Sequence, residues 1–420
     1  MSADTAKAAP YRGNRVRLRR HIGYAVAITI ISVLASYPSI LPFFRDVLQR
    51  YLRIGDREFG LLFSIGSIGG VVTVLLGGPL VDRWGPRRML SICLLGTGAV
   101  MLLIGAAGAH WVVLAVALGL NSIVAGPLNI AMSAYLARLF PRHRRRVLSL
   151  NLAAQSAGGF MIAVLSEGWL GLTRAVPAVR FAYVLHVPFA VLGAVLVMVS
   201  RCWRPSRARR PVPHATPLFH WRTMAIPAPL LLLGVLLALH GAVDTTIYTW
   251  MPRFLASDSF GSHPIPPGFV LSGFSVAYLV SRVLLAMLPE TRGRRTLMIL
   301  PGLLGGSVLI AGILSRQFWF TAGGYVLAAF LWSAEYPAML SMVARRGAKS
   351  FGAVMAVAGV LSAILTFGLL NLAGWTAEHL GEARMWQAML VPACGFPLVG
   401  LGGALWVALY GRERHRRPSS

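Results

Sequence analysis

The chain has 420 residues, of which 56% are hydrophobic and only 13% charged, and its mean hydropathy is +0.67. Soluble domains carry about 25% charged residues, so a water-soluble globular protein is excluded. The formal net charge of +27 is that of many nucleic-acid binders, but those gather their basic residues on a soluble module; no stretch here is both charge-rich and long enough to form one, so the composition points to a lipid bilayer as solvent and to no nucleic acid.

Apolar runs long enough to cross about 30 Å of hydrocarbon as helices fall, in chain order, at 22–44, 59–81, 88–107, 111–136, 147–167, 180–200, 227–252, 267–288, 296–314, 318–341, 351–374 and 386–410. The first follows the basic stretch "YRGNRVRLRR". It is too long for the apolar core of a signal peptide and no small-residue cleavage site follows it, so a retained first helix is expected. Twelve transmembrane helices make the predicted fold all-α and integral to the membrane.

Lys and Arg set the expected orientation. With the N-terminus in the cytoplasm, the cytoplasmic side holds 30 of the 40 basic residues and the outer loops 9. That asymmetry predicts both termini inside, in a cytoplasmic (inner) membrane. The Arg runs "RHRRR" at 142–146 and "RPSRARR" at 204–210 then act as topology anchors that also meet anionic lipid headgroups. One basic residue is left over: Arg282 lies inside the eighth apolar run.

An internal repeat organises the whole. "GPLVDRWGPRR" (78–88) follows the second run and "AMLPETRGRRT" (286–296) follows the eighth, so that Asp82 and Gly85 match Glu290 and Gly293. The predicted organisation is a basic tail (1–21), a six-helix half (22–200), a basic linker (201–226), a second six-helix half (227–410) and a basic tail (411–420). Two pseudo-symmetric halves in parallel belong to one large transporter class.

The first copy resembles the signature loop of the major facilitator superfamily, G-x-L-x-D-R-x-G-R-R, and the weaker second copy, the helix count and the central linker agree with it over nearly the whole chain. The motif has a physical logic: Gly78 lets helices approach closely, Asp82 can accept bonds from a helix N-terminus or an Arg, and Arg83, Arg87 and Arg88 stay at the membrane surface. The resemblance implies a conformational latch, with Gly78, Asp82, Arg83, Gly85, Arg87, Arg88, Glu290, Gly293 and Arg294 as gating residues. In the second copy, Glu replaces Asp and Thr291 replaces Arg.

Ionisable groups at membrane depth cost roughly 2.5 to 3.5 kcal/mol each on insertion scales, so each is a functional candidate. His186, His240, Asp244, Arg282 and Glu335 stand out. By the resemblance, helices 1, 4, 7 and 10 line a central cavity with 2, 5, 8 and 11 beside them, which turns the last four residues toward it. His186, on a peripheral helix, is expected to be a bonded structural histidine. At about 1.5 Å rise per residue, Arg282 and Glu335 share a level, while Asp244 sits one turn outward of His240 on a nearly common face.

Arg282 lies four residues before Ala286, the position of the motif's first glycine. This is similar to helix 8 of the monocarboxylate, oxalate-type and nitrate branches, whose Arg binds the substrate anion. A guanidinium suits that task because it stays charged and matches a carboxylate with a planar fork. Nothing else in the chain matches those branches, and the drug-antiporter pattern is absent: "LAVALGLNSIVAGPLNIA" of helix 4 has no Arg.

Two mechanisms stay open. In the first, Arg282 binds a small organic anion, Glu335 holds Arg282 when the site is empty, and His240 with Asp244 exchange a proton. In the second, Asp244 and Glu335 bind a cationic or zwitterionic substrate and Arg282 is a structural counter-ion. Either would draw its uncharged lining from Tyr37, Asn121, Tyr248 and Trp332, with Ser32, Ser36, Asn129 and Asn371 also at cavity-lining positions. Pro38, Pro127 and Pro337 allow bending in helices 1, 4 and 10.

The first is preferred, because a proton offsets the charge of an anion moving with it. The expected function is therefore proton-coupled transport of an organic carboxylate by a monomer, with a small molecule, protons and lipid as partners. The alternatives are a proton-coupled exporter of a cationic or neutral compound and a non-transporting sensor on the same fold. No metal-ligand spacing, phosphate loop or nucleophile motif is found, and Cys93, Cys202 and Cys394 are too far apart for a framework. Neither an enzyme nor a cofactor is expected.

Overall fold

The computed structural model describes residues 22–34, 49, 51–106, 110–139, 149–158, 160–161, 184–199, 226–260, 264–288, 295–346 and 351–411. Among the described residues helical segments follow one another along the chain and there is no strand. They are α1 (Ile22–Leu34), α2 (Asp56–Trp84), α3 (Pro86–Ala106), α4 (Trp111–Leu139), α5 (149–158), α6 (His186–Val199), α7 (Ala228–Leu255), α8 (Pro267–Met287), α9 (Leu300–Ser315), α10 (Phe318–Trp332, resuming as Glu335–Arg346), α11 (Phe351–Leu380) and α12 (Met385–Ala393, resuming as Gly395–Tyr410). Seven of the described helical spans are long and apolar enough to cross a membrane. Several run past the predicted apolar stretch, α2 and α11 most visibly.

Large apolar residues face outward as well as inward. Leu398, Leu401, Leu405 and Leu409 form an exposed stripe on α12, as do Ile22, Val26 and Ile30 on α1. In lipid an apolar exterior carries no penalty, and close packing of small residues drives association. Four hydrophobic clusters form, two built wholly from residues before 200 and two wholly from residues after 226. Across this divide α2 packs along α11: Ser64 Oγ accepts from Asn371 Nδ2 at 2.6 Å, and Gly60 meets the backbone of Leu370 and Gly374.

Two helices predicted to be continuous are broken, and proline explains both. A proline ring clashes with the carbonyl four residues earlier and removes one helical N–H. Pro337 acts on Ser333, where α10 is interrupted, and Pro397 acts on Ala393, where α12 is. Pro127, by contrast, is accommodated inside an unbroken α4, packed at Gly77 of α2. The break in α10 puts Glu335 in the first turn of a new helix, the end at which a carboxylate is favoured by the unpaired N–H groups.

Candidate functional site

Helices α7 and α10 run antiparallel and meet in two rungs. His240 and Asp244 are four apart on α7, and Glu335 and Trp332 are three apart on α10, so the pairs match in reversed order. In the first rung, His240 Nδ1–H donates to Glu335 Oε2 at 3.0 Å, with the two side chains 4% and 0% exposed. Tyr336 and Phe396 wall the imidazole, at ring-centroid distances of 5.7 and 6.1 Å. Glu335 Oε1 lies against Gly302 in the first turn of α9; a Cβ on that glycine would sit 2.7 Å from it.

In the second rung, Asp244 Oδ1 accepts from the Tyr278 hydroxyl and, at 3.1 Å, from Trp332 Nε1, which also contacts the Tyr278 oxygen. Aromatic rings fix these donors. Trp332 stacks on Phe396 at 3.4 Å and Tyr278 on Phe274 at 4.5 Å. Phe396 touches both rungs, through His240 and through Trp332. Asp244 itself is only half-buried.

Arg282, one turn beyond Tyr278 on α8, holds its guanidinium over the Tyr278 ring with Cζ 4.6 Å from the centroid. Its Nη1 then crosses to the other half and donates to Leu152 O at 2.9 Å and Ser156 Oγ at 2.8 Å, both on α5. The guanidinium therefore stands between the two halves and does not snorkel to a headgroup.

This arrangement corrects two expectations. Glu335 bonds His240 and not Arg282: its carboxylate lies in the interior of the second half, between α7 and α9. His240 and Asp244 share a helix face but not a partner: the 40° advance over four residues aims one at Glu335 and the other at Tyr278 and Trp332. His240 and Glu335 are thus sealed within the second half, away from the divide between halves.

The other predicted positions scatter. His186 Nδ1 meets the carbonyl of Leu34, the bonded structural histidine expected. Tyr248 is half-buried and packs on Phe274 at 5.6 Å, Trp332 is fully buried, and Asn121 is buried in α4. Asn129 accepts from Gln155 at 3.2 Å within the first half. Of the motif, Gly85 makes the one-residue turn between α2 and α3 with φ +79° and ψ 147°, a conformation open essentially to glycine alone. Arg87 donates to the Val197 and Met198 carbonyls at the end of α6, capping that helix inside its own half, and Arg88 is exposed. Gly78, Asp82 and Arg83 lie on the helical backbone of α2, but their side chains fall outside the described ones. Tyr37, Ser36, Pro38, Glu290, Gly293, Arg294 and the linker 201–225 lie outside the described residues, as do both Arg runs.

Sequence reasoning did not single out Tyr278, Ser156, Gly302 or Phe396. The Tyr278–Arg282 spacing of four on one helix was a usable signal. No signal in the chain marked the other three.

The family model of the Major Facilitator Superfamily matches residues 22–265, more than half of the chain. The chain belongs to the Major Facilitator Superfamily. Among superfamily relatives, it is 28% identical over 158 residues to human "Solute carrier family 2, facilitated glucose transporter member 12", an alignment covering 35% of this chain and 24% of that one. It is 24% identical over 195 residues to "Multidrug resistance protein 2" of Bacillus subtilis, covering 44% and 45%. The chain thus spans about a quarter of the length of the glucose-transporter relatives it matches.

Solved superfamily structures share the fold at low identity. The proton:xylose symporter XylE matches with a TM-score of 0.70 at 15% identity, covering 94% of this chain and 96% of that one. The human organic anion transporter MFSD10 matches with a TM-score of 0.69 at 16% identity, covering 91% and 99%. The outward conformation of the transporter FucP matches with a TM-score of 0.66 at 15% identity, covering 92% and 98%. These similarities, with the apolar helices, identify an integral membrane protein of the superfamily's twelve-helix fold.

Proposed function

We propose that the protein is a secondary transporter that moves a small organic anion across the cytoplasmic membrane by alternating access, coupled to protons. Both termini lie in the cytoplasm, on the side holding 30 of the 40 basic residues, and the two halves, 22–200 and 227–410, rock about the divide as a monomer. The observation that carries the reading is Arg282: a guanidinium inside the eighth apolar run that reaches across the divide to the Leu152 carbonyl and the Ser156 hydroxyl of α5. A substrate carboxylate adds a full opposite charge and a planar pair of acceptor oxygens that match the guanidinium fork, so it can compete with α5 for Arg282 and couple binding to movement of the halves.

The proton is assigned to His240 and Glu335. They form a sealed pair, and burial makes any charge left alone there costly. Tyr248, Trp332, Asn121 and Tyr37 supply the uncharged lining, and the motif cluster around Asp82 and Arg83 works as the latch. The similar structures include a proton:xylose symporter and a human organic anion transporter; their descriptions are properties of those proteins, compatible with this reading.

The test is thermal stabilisation of the purified protein by a panel of mono- and dicarboxylates, amines, sugars and nucleosides, repeated on Arg282→Lys. The expected result is a carboxylate hit that Arg282→Lys loses, because a point charge cannot replace the planar fork. A hit retained at full affinity by Arg282→Lys, or a panel in which sugars or amines alone stabilise, overturns the anion assignment.

A further inference from the structure

The anion reading leaves Asp244 without a task, since the proton pair is His240 with Glu335. Asp244 is nonetheless built as a site. Its Oδ1 is anchored by two donors, Tyr278 and Trp332, which are themselves locked in an aromatic stack. Its Oδ2 makes no hydrogen bond among the described residues, and the side chain is half-buried and not sealed. A carboxylate held rigidly by one oxygen while the other faces accessible space is a receptor for a cationic or strongly donating group.

Arg282 lies on the same aromatic ring. Tyr278 presents its hydroxyl to Asp244 and its face to Arg282, whose Cζ is 4.6 Å from the ring centroid. An acceptor of negative charge and an acceptor of positive charge are thus held about one phenol apart by a single residue. The rest of the neighbourhood is aromatic: Phe274 and Trp332 adjoin Tyr278, and Tyr248 packs on Phe274. These rings are stacked on one another and on Phe396, so they hold the Asp244 carboxylate in a fixed position.

We infer that the substrate is a zwitterion, an amino-carboxylate whose carboxylate is held by Arg282 and whose ammonium group is held by Asp244 Oδ2 beside the Tyr278 and Trp332 rings. This rests on the anion reading of Arg282 and narrows it. A simple carboxylate would leave Asp244 facing it with like charge, a repulsion that the ammonium of a zwitterion converts into attraction. Tyr278 is the spacer, so the distance between the substrate's two charges is specified by the length of one side chain.

The experiment is a binding titration, by thermal stabilisation and by counterflow in proteoliposomes, with three matched series: linear amino-carboxylates of increasing chain length, the same carboxylates without the amine, and the same amines without the carboxylate. For the wild-type protein the expected result is an optimum at one chain length, where the amino-carboxylate binds roughly tenfold or more tightly than its des-amino partner. In Asp244→Asn, which keeps an acceptor for Tyr278 and Trp332, that ratio falls toward one, while Arg282→Ala weakens both carboxylate series. A wild-type ratio of one or less at every length overturns the zwitterion inference and leaves the anion reading standing. So does a ratio that Asp244→Asn leaves intact. Binding of the amine series alone, insensitive to Arg282→Ala, overturns both. The wild-type ratio decides the matter even if a variant fails to fold.

Discussion

Glu335 is the residue whose meaning changes most between sequence and structure. In the sequence it is an acid inside an apolar run at the same depth as Arg282, and depth alone pairs the two. Its actual neighbours are His240 and Gly302, both in its own half, because the rotation of α10 against α7 and α9, and not depth, decides what it meets. Gly302 is the complement of that placement. A Cβ there would stand 2.7 Å from Glu335 Oε1, 2.7 Å from the Phe396 carbonyl and 2.9 Å from Gly400 N, two of them backbone atoms that cannot move aside. Gly302→Ala is therefore expected to cost roughly 1–3 kcal/mol as overpacking, read as a lowered Tm of the solubilised protein. Gly323→Ala on α10, where nothing lies within 4 Å of the added methyl, should be neutral or slightly stabilising through helix propensity. Equal effects of the two would contradict the packing account. The candidate ionisable residues were all legible from the sequence, because charge in an apolar run is conspicuous. Their partners were not, because partners depend on rotations of a few tens of degrees between helices that no spacing rule fixes.

The helices themselves were legible. Hydropathy alone marks twelve spans because a bilayer forbids exposed backbone polar groups and so forces apolar segments into helices. The interruptions were half legible: Pro337 was marked as permitting a bend, whereas Pro397 was not. Whether a proline bends, breaks or is absorbed depends on what packs beside it, as the unbroken α4 at Pro127 illustrates. Pro337→Ala tests the function of the α10 break. Restoring the N–H and removing the clash with Ser333 should favour a continuous helix, since proline in a helix interior costs about 3 kcal/mol. The expected outcome is equal or greater thermal stability together with reduced uptake, because α10 loses its weak point beside Glu335. Retained uptake at wild-type rate would show that the break is not needed for transport.

At the scale of the molecule, the repeat announced two halves, and the buried clusters divide the same way, none drawing on both halves. What the sequence did not carry is where the halves touch. Ser64 with Asn371 joins α2 to α11, and Arg282 with Ser156 joins α8 to α5; each pair lies far apart in the chain and neither has a motif. If alternating access separates α2 from α11 at this end, tying them must stop it. Cross-linking a Ser64→Cys/Asn371→Cys protein, in a background without native cysteines, is expected to abolish uptake by at least tenfold, with recovery on reduction. Undiminished uptake in the cross-linked protein would mean that this contact is not broken in the transport cycle.

An anion proposed to ride at Arg282 and a proton proposed to ride at His240 and Glu335 join these scales. The most direct test is accumulation of the carboxylate identified by stabilisation in proteoliposomes, with and without an imposed pH gradient, for the wild-type protein and Glu335→Gln. The gradient should drive accumulation several-fold above equilibrium in the wild type, and Glu335→Gln should still exchange substrate in counterflow but no longer respond to the gradient. A wild-type protein that ignores the gradient, or a Glu335→Gln protein that responds to it fully, would rule out proton coupling through this pair.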